Sequence, residues 1–269
     1  MRILINPQFQ YLSGCFDLLL DSDYFESQGE LLYDVGRNVV KRFYFEDVDV
    51  VVKRFGRITS FNRLMYAMVR ESKAIRAYKY ASKLRSLGIS TPEEVAVWET
   101  YSHGMLVDSY FISLFTPSRS LTFLREFNFN KREWFPILDH LAEWIFMLHE
   151  KGVLHLDLNL GNILYQEQKD GREHTFQLID NNRMKFCQQI SVEERLKNLC
   201  RISTNLELHL YIMKKYMELI PCNNKTLAIK GCYYKLNLEY KQMVKRRMKK
   251  LKHLLFLFIK KSKFCKYRM

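Results

Sequence analysis

The 269-residue sequence predicts an α+β fold in two lobes: an antiparallel sheet with one helix, then a mainly helical lobe. Three observations carry that reading. β-rich runs separated by short turns open the chain, one amphipathic helical stretch follows them, and apolar residues repeat at helical spacing beyond Thr116-Pro117-Ser118. The length exceeds the usual single domain of about 100 to 200 residues. With 48% hydrophobic and 14% aromatic residues there is material for a sizeable core, which excludes a mostly disordered chain.

The elements follow in order. Leu31 to Val35, Val39 to Phe45 and Val48 to Phe55 read as strands, separated by Gly36-Arg37-Asn38 and Glu46-Asp47, and form an antiparallel meander. Ala74, Ala77, Tyr78, Ala81, Leu84 and Leu87 then share one helical face, with Ser72 placed to cap the start and Gly88 and Pro92 to stop it. Glu94 to Glu99 and Leu106 to Phe115 complete a five-stranded lobe, residues 1–115, and the linker opens the second lobe, residues 116–269. There Trp134, Ile137, Leu138, Leu141, Trp144, Ile145 and Leu148 mark a buried helix stopped at Gly152. A loop from Leu154 to Asn162, a strand from Ile163 to Gln166, a turn through Lys169-Asp170-Gly171 and a strand from Thr175 to Ile179 follow, ending at Asp180. From Val192 onward the pattern is helical.

Charge is unevenly placed. The net +14 comes from 43 Lys and Arg against 29 Asp and Glu, but Lys241 to Met269 holds 12 basic and no acidic residues, leaving the first 240 residues at only +2. A nearly neutral body with a basic tail points to an anionic surface as partner and away from a nucleic acid reader. The six cysteines show no CxxC pair and no zinc-finger histidine spacing, so they read as reduced thiols. Met1 to Leu12 lacks the apolar stretch of a signal peptide. The longest apolar run, Leu254 to Ile259, is far short of the ~20 residues that span a bilayer as a helix.

The segment His155-Leu156-Asp157-Leu158-Asn159-Leu160-Gly161-Asn162 places an aspartate and an asparagine five residues apart on a loop between helix and strand. One can face a hydroxyl and the other a metal, which is what phosphoryl transfer asks of a protein. Asp180, closing an apolar strand, offers the hard oxygen that magnesium prefers. Alone, such a loop also fits an Asp and an Asn that merely cap turns. Its weight comes from the preceding helix, the hairpin to Asp180, and Lys53 in Val50-Val51-Val52-Lys53 upstream. His149 reads as a partner of its helix C-terminus and His155 as a hydrogen-bonded anchor of the loop. Arg54, Arg57 and Arg63 suit either an anionic ligand or a solvated face.

These residues resemble the protein-kinase-like superfamily, and more closely its lipopolysaccharide kinases, which phosphorylate Kdo or heptose of the inner core. The resemblance runs from about Gly29 to Arg183 and includes Asp34-Val35-Gly36-Arg37-Asn38, Val52-Lys53-Arg54, Gly88-Ile89-Ser90-Thr91-Pro92-Glu93, Leu148-His149-Glu150-Lys151-Gly152-Val153 and Ile179-Asp180-Asn181-Asn182-Arg183. It implies a protein-kinase-like fold and an ATP-dependent, magnesium-dependent transfer to a lipid-linked sugar hydroxyl at the inner face of the inner membrane. Asp157 would be the catalytic base, Asn162 and Asp180 the metal ligands, Lys53 the contact to the nucleotide phosphates, and Gly36, Arg37 and Asn38 the turn covering them. Asn181-Asn182 in place of Phe-Gly, and the absence of Ala-Pro-Glu, disfavour a protein substrate. No acidic residue lies between Ser72 and Thr91, so Lys53 needs another partner, Glu71 or a carboxylate of the second lobe. A small-molecule kinase of the aminoglycoside or choline kinase type, and a pseudokinase scaffold, are the alternatives.

In the tail, Val244, Met248, Leu251, Leu255 and Phe258 recur at spacings of 4, 3, 4 and 3, with Lys245, Arg246, Lys249, Lys250 and Lys252 on the flanks. A helix of this pattern is expected to lie on an anionic membrane, peripheral and without a spanning segment.

Overall fold

An antiparallel sheet organises the first half of the chain. The computed structural model describes residues 1–35, 38–56, 71–167, 174–221 and 225–265. Gly36 and Arg37, Arg57 and Arg63, the Lys169-Asp170-Gly171 turn, and the side chains of Leu255 and Phe258 lie outside what is described. The chain divides into two compact units, one of Met1–Leu124 and Met147–Gln189, the other of Arg125–Phe146 and Ile190–Met269.

The first unit begins with β1 (Arg2–Ile5), α1 (Ser13–Asp17) and α2 (Ser22–Ser27), and continues with β2 (Glu30–Val35), β3 (Asn38–Phe45) and β4 (Val48–Phe55). After α3 (Lys73–Ser86) come β5 (Glu94–Ser102) and β6 (Met105–Leu114). The sheet has six strands in the order β1-β5-β6-β4-β3-β2, with every neighbouring pair antiparallel. The expected meander is present. Glu46 and Asp47 both take left-handed backbone, at φ 43° and 67°, which a two-residue hairpin loop matched to strand twist requires.

The expected five strands are six. β1, four residues long, pairs as an edge strand with β5, and so short a segment carries too little periodicity to announce itself. The residues after it cover one face of the sheet. Phe9, Leu12, Phe16, Leu19 and Phe25 are buried in one core with Phe43, Phe45, Val50, Val52, Trp98 and Ile112. On the other face Ala74 and Ile75 of α3 pack with Phe55 and Val97. Ser72 caps α3 as its sequence suggests, accepting a hydrogen bond from the Ile75 amide at 3.1 Å. Lys41 is buried inside a strand. Its Nζ donates to the carbonyls of Phe25 at 2.7 Å, Glu26 at 2.7 Å and Gln28 at 3.0 Å, so it satisfies the open end of α2.

The remainder of this unit holds β7 (Arg119–Ser120) and, after the helix α4 (Phe135–Glu150), whose last turn belongs here, β8 (Val153–His155), β9 (Ile163–Glu167), β10 (His174–Leu178) and β11 (Met184–Phe186). β9 and β10 make the expected hairpin, with Leu178 opposite Ile163. The loop expected from Leu154 is partly strand, because β8 pairs with β11. Gly152 makes that possible. It takes φ 73°, and the Cys187 carbonyl lies where its Cβ would be, close enough for the Cys187 amide to donate to the Gly152 carbonyl at 2.8 Å.

The second unit is helical: the first three turns of α4, then α5 (Val192–Leu199), α6 (Leu206–Glu218) and α7 (Lys225–Cys265). Ser191 and Asn205 cap α5 and α6 through side-chain oxygens. Phe135 stacks on Tyr211 at 4.8 Å between centroids, and the Tyr211 hydroxyl donates to Asp139 at 2.7 Å. The tail is not a separate element. It continues a single 41-residue helix whose earlier turns pack on this unit. Cys15, Cys187, Cys200 and Cys232 are free thiols.

Candidate active site

The site is assembled from β4, the segment after β8, and the end of β10, all within the first unit. Side chains alternate along a strand. Val50 and Val52 enter the core beneath the N-terminal segment, so Lys53 and Phe55 turn to the face of α3. Lys53 Nζ lies 2.8 Å from Asp180 Oδ1 and 5.3 Å from the centre of the Phe55 ring. Lys53 therefore finds its partner in Asp180, 127 residues further along the chain and in the same unit; the other candidate, Glu71, pairs with Lys79.

Asp180 follows β10 in left-handed backbone, φ 58°, a conformation that costs a non-glycine residue energy and persists where surroundings impose it. Several bonds impose it here. The Ile179 amide donates to the Asn162 carbonyl at 3.0 Å, and His155 Nε2 lies 3.1 Å from the Ile179 carbonyl. Asn182 Nδ2 donates to Asp180 Oδ1, the same oxygen that meets Lys53. Among the described residues no hydrogen bond reaches Oδ2. Burial, the largest single influence, would push the Asp180 carboxyl up; the charge and hydrogen bond of Lys53, together with His155 and Arg183, hold the group below its usual range.

The Asp157 loop is fixed by its own polar atoms. The Asp157 amide donates to His155 Nδ1 at 3.2 Å, which leaves Nε2 as the protonated nitrogen that donates to Ile179. Burial pushes the His155 imidazole down, so it stays neutral and serves as the anchor its sequence position suggests. Asn159 and Asn162 each donate an amide hydrogen to the Asp157 carbonyl, at 2.8 and 2.9 Å. With its Nδ2 committed, Asn162 presents Oδ1 as its open acceptor. The Asp157 carboxylate itself is half-exposed, with Arg183 3.6 Å away.

The structure thus brings together Lys53, Asp157, Asn162 and Asp180. Asn38 begins β3, opposite Phe55, and its Oδ1 is buried with no partner among the described residues. Arg54 is absorbed by the fold, paired with Glu26 at 2.8 Å and lying over Phe25. His149 is buried near the end of α4. Sequence reasoning assigned no role to Asn181 or Asn182. Asn181 Nδ2 donates to Thr91 Oγ1 at 2.8 Å, and Thr91 in turn donates to the Leu178 carbonyl at 2.8 Å, tying the strand end to the turn after α3. The signal was two amides where an apolar strand ends. Nothing local says what they would reach.

A lysine on a sheet strand, paired with an aspartate at the mouth of a hairpin and set with an Asp-x4-Asn loop, defines a protein-kinase-like phosphotransferase. The chain belongs to the lipopolysaccharide kinase (Kdo/WaaP) family, whose model matches residues 36–218. It is an ATP-using kinase that transfers phosphate to an alcohol group. Among solved structures it is similar to WaaP in complex with acyl carrier protein, at 15% identity over 82% of this chain and 90% of that one, with a TM-score of 0.54, a likeness of fold. No curated protein sequence matches it.

Proposed function

We propose that this chain phosphorylates a hydroxyl of Kdo or heptose in the lipopolysaccharide inner core, using a lipid-linked acceptor at the cytoplasmic face of the inner membrane. The observation that carries the reading is the Lys53–Asp180 ion pair beside the loop from Asp157 to Asn162. Residues 1–115 would bind the nucleotide and residues 116–269 would supply the catalytic loop and the tail.

Asp157, held by backbone bonds with its carboxylate open to solvent, would orient the acceptor hydroxyl and take its proton as the bond to phosphorus forms. Lys53 would stabilise charge on the transferring phosphate, with Gly36, Arg37 and Asn38 covering the phosphates. The donor set fits magnesium: Asn162 Oδ1 and the Asp180 carboxylate are hard oxygens, one neutral and one kept ionised by Lys53. Among the described residues no three His, Cys, Asp or Glu side chains gather as a cage, and magnesium in such sites needs only one or two protein oxygens beside phosphates and water. When bound it would neutralise charge on the phosphates.

The exposed basic helix supports a peripheral attachment to anionic lipid. No described helix is long and apolar enough to cross a membrane. Val244, Met248 and Leu251 are exposed, so the apolar stripe of the tail is not spent on the body of the protein.

The test is mass spectrometry of lipid A and core sugars from the host with and without the protein, and with an Asp157→Asn copy restored. Loss of one phosphate from Kdo or heptose, recovered by the wild type and not by the variant, is expected. An unchanged core would overturn the acceptor.

A further inference from the structure

Helix α7 is apolar on two opposite faces, and its own unit uses only one of them. On the packed face, a Cβ added at Gly231 would stand 2.5 Å from Met213 Sδ, so glycine lets α7 lie directly on α6. Buried Lys235 donates to the carbonyls of Cys200 and Ser203, and the Tyr234 hydroxyl donates to Glu193 at 2.6 Å. On the other face, Ile229, Tyr233, Leu236 and Tyr240 are 61% to 70% exposed, and exposed Val244 and Leu251 continue their line. At about 100° per residue these six positions fall within roughly 80° of one another, along a line about 33 Å long that Arg247 shares between Val244 and Leu251. The solvent face of a packed helix is ordinarily polar. This one starts twelve residues before the basic run does, where charge gives no hint of it.

We propose that the whole stripe from Ile229, and not only the basic segment from about residue 241, is the surface that meets an anionic lipid bilayer. The inference rests on the membrane reading above and deepens it. Charge selects the occupant. The stripe is flanked by Lys230, Lys241 and Lys245 on one side and by Arg246 and Lys250 on the other; Glu239, on that second side, is paired with Lys235 at 3.0 Å, and no acidic residue follows from Lys241 onward. A second copy of the helix would set one such run beside another, whereas an anionic leaflet neutralises it. Tyr233 and Tyr240 suit the headgroup boundary, with rings toward the acyl chains and hydroxyls toward water. Because Gly231 and Lys235 fix the same turns to α5 and α6, lipid contact between Ile229 and Tyr240 orients the second unit on the membrane. A tail engaged only beyond residue 241 would merely tether it.

The test compares the full chain with a Tyr233→Ser, Leu236→Ser, Tyr240→Ser triple variant. Each is co-sedimented with vesicles of phosphatidylglycerol and phosphatidylethanolamine, and with phosphatidylcholine alone. Wild type is expected to bind the anionic vesicles, and the triple variant to bind about tenfold more weakly, with unchanged circular dichroism and ATP binding. Equal binding by the two overturns the inference and leaves the basic segment as the only contact. Wild type that ignores anionic vesicles overturns the membrane reading itself. A wild-type dimer that the triple variant dissolves, with vesicle binding unchanged, assigns the stripe to a second copy and also overturns it. Should the triple variant misfold, a Tyr240→Trp chain decides: a blue shift of its emission on adding anionic vesicles is expected, and no shift counts against the proposal.

Discussion

Asp180 meets two opposed electrostatic demands, since burial favours its neutral form and Lys53 its charged one. Its folded pKa is depressed, so the stability it contributes is fully present above the unfolded value of about 3.9 and is lost as pH falls through the folded value. As pH falls below about 4, unfolding should therefore show a loss of stability that an Asp180→Asn chain lacks. The same substitution should weaken magnesium-dependent ATP binding, because an amide replaces an anionic oxygen poorly; an ATP titration with unchanged magnesium dependence would remove Asp180 from the metal site. Lys53→Met leaves a partly buried carboxylate without its cation. It should cut turnover by about a hundredfold or more and raise the Asp180 pKa, and a near-normal rate would mean a differently arranged nucleotide site. Asp157→Asn keeps shape and removes the proton acceptor, so it should fold normally and lose about a hundredfold or more in rate. Wild-type turnover in that variant excludes Asp157 as the base.

The elements that sequence periodicity reveals are the long ones. The helix marked by Ala74 to Leu87, that marked by Trp134 to Leu148, whose α-helical part begins one residue later at Phe135, and strands β3 and β4 stand where their spacing puts them. Shorter elements depend on partners. β1 exists through β5, β8 through β11, and the end of α2 through Lys41. Lys41→Met should therefore cost about 1 to 3 kcal/mol in urea unfolding, the price of carbonyls left without a donor. Gly231 sets a contest between propensity and packing. Gly231→Ala gains up to about 1 kcal/mol of helix propensity and asks only that the flexible end of Met213 shift, so it should be nearly neutral. Gly231→Leu overfills the same contact and should cost about 1 to 3 kcal/mol. Equal stability of the two variants would mean that α7 does not lie on α6 as closely as the geometry has it.

At the scale of the whole molecule, charge is divided between a body of +2 and a tail of 12 cations. If about half of those engage an anionic leaflet at about 1 kcal/mol each, they supply roughly 6 kcal/mol, enough for reversible attachment. Attachment should fall as ionic strength rises. A chain ending at Tyr240 loses only the later turns of α7, whose described side chains are all exposed but for the partly buried Gln242, so it should fold, stay in solution and lose most of its salt-sensitive sedimentation with anionic vesicles. Unfolding of that shortened chain would make the tail a structural part of the second unit.

The sequence by itself determined what is local. Alternation placed Val50, Val52 and Lys53 on opposite faces of one strand, helical spacing placed the long helices, and the five-residue interval from Asp157 to Asn162 marked the loop. These follow from backbone periods of 2 and 3.6, which any stretch of chain carries within itself. Tertiary structure alone decided whom Lys53 would meet, 127 residues away, and that Asn181 would reach back 90 residues to Thr91. It also decided that one face of α7 would be buried while the opposite apolar face stayed open. No local pattern encodes these outcomes, because a side chain's charge or apolar area states what it needs, and only the packed chain determines which group supplies it.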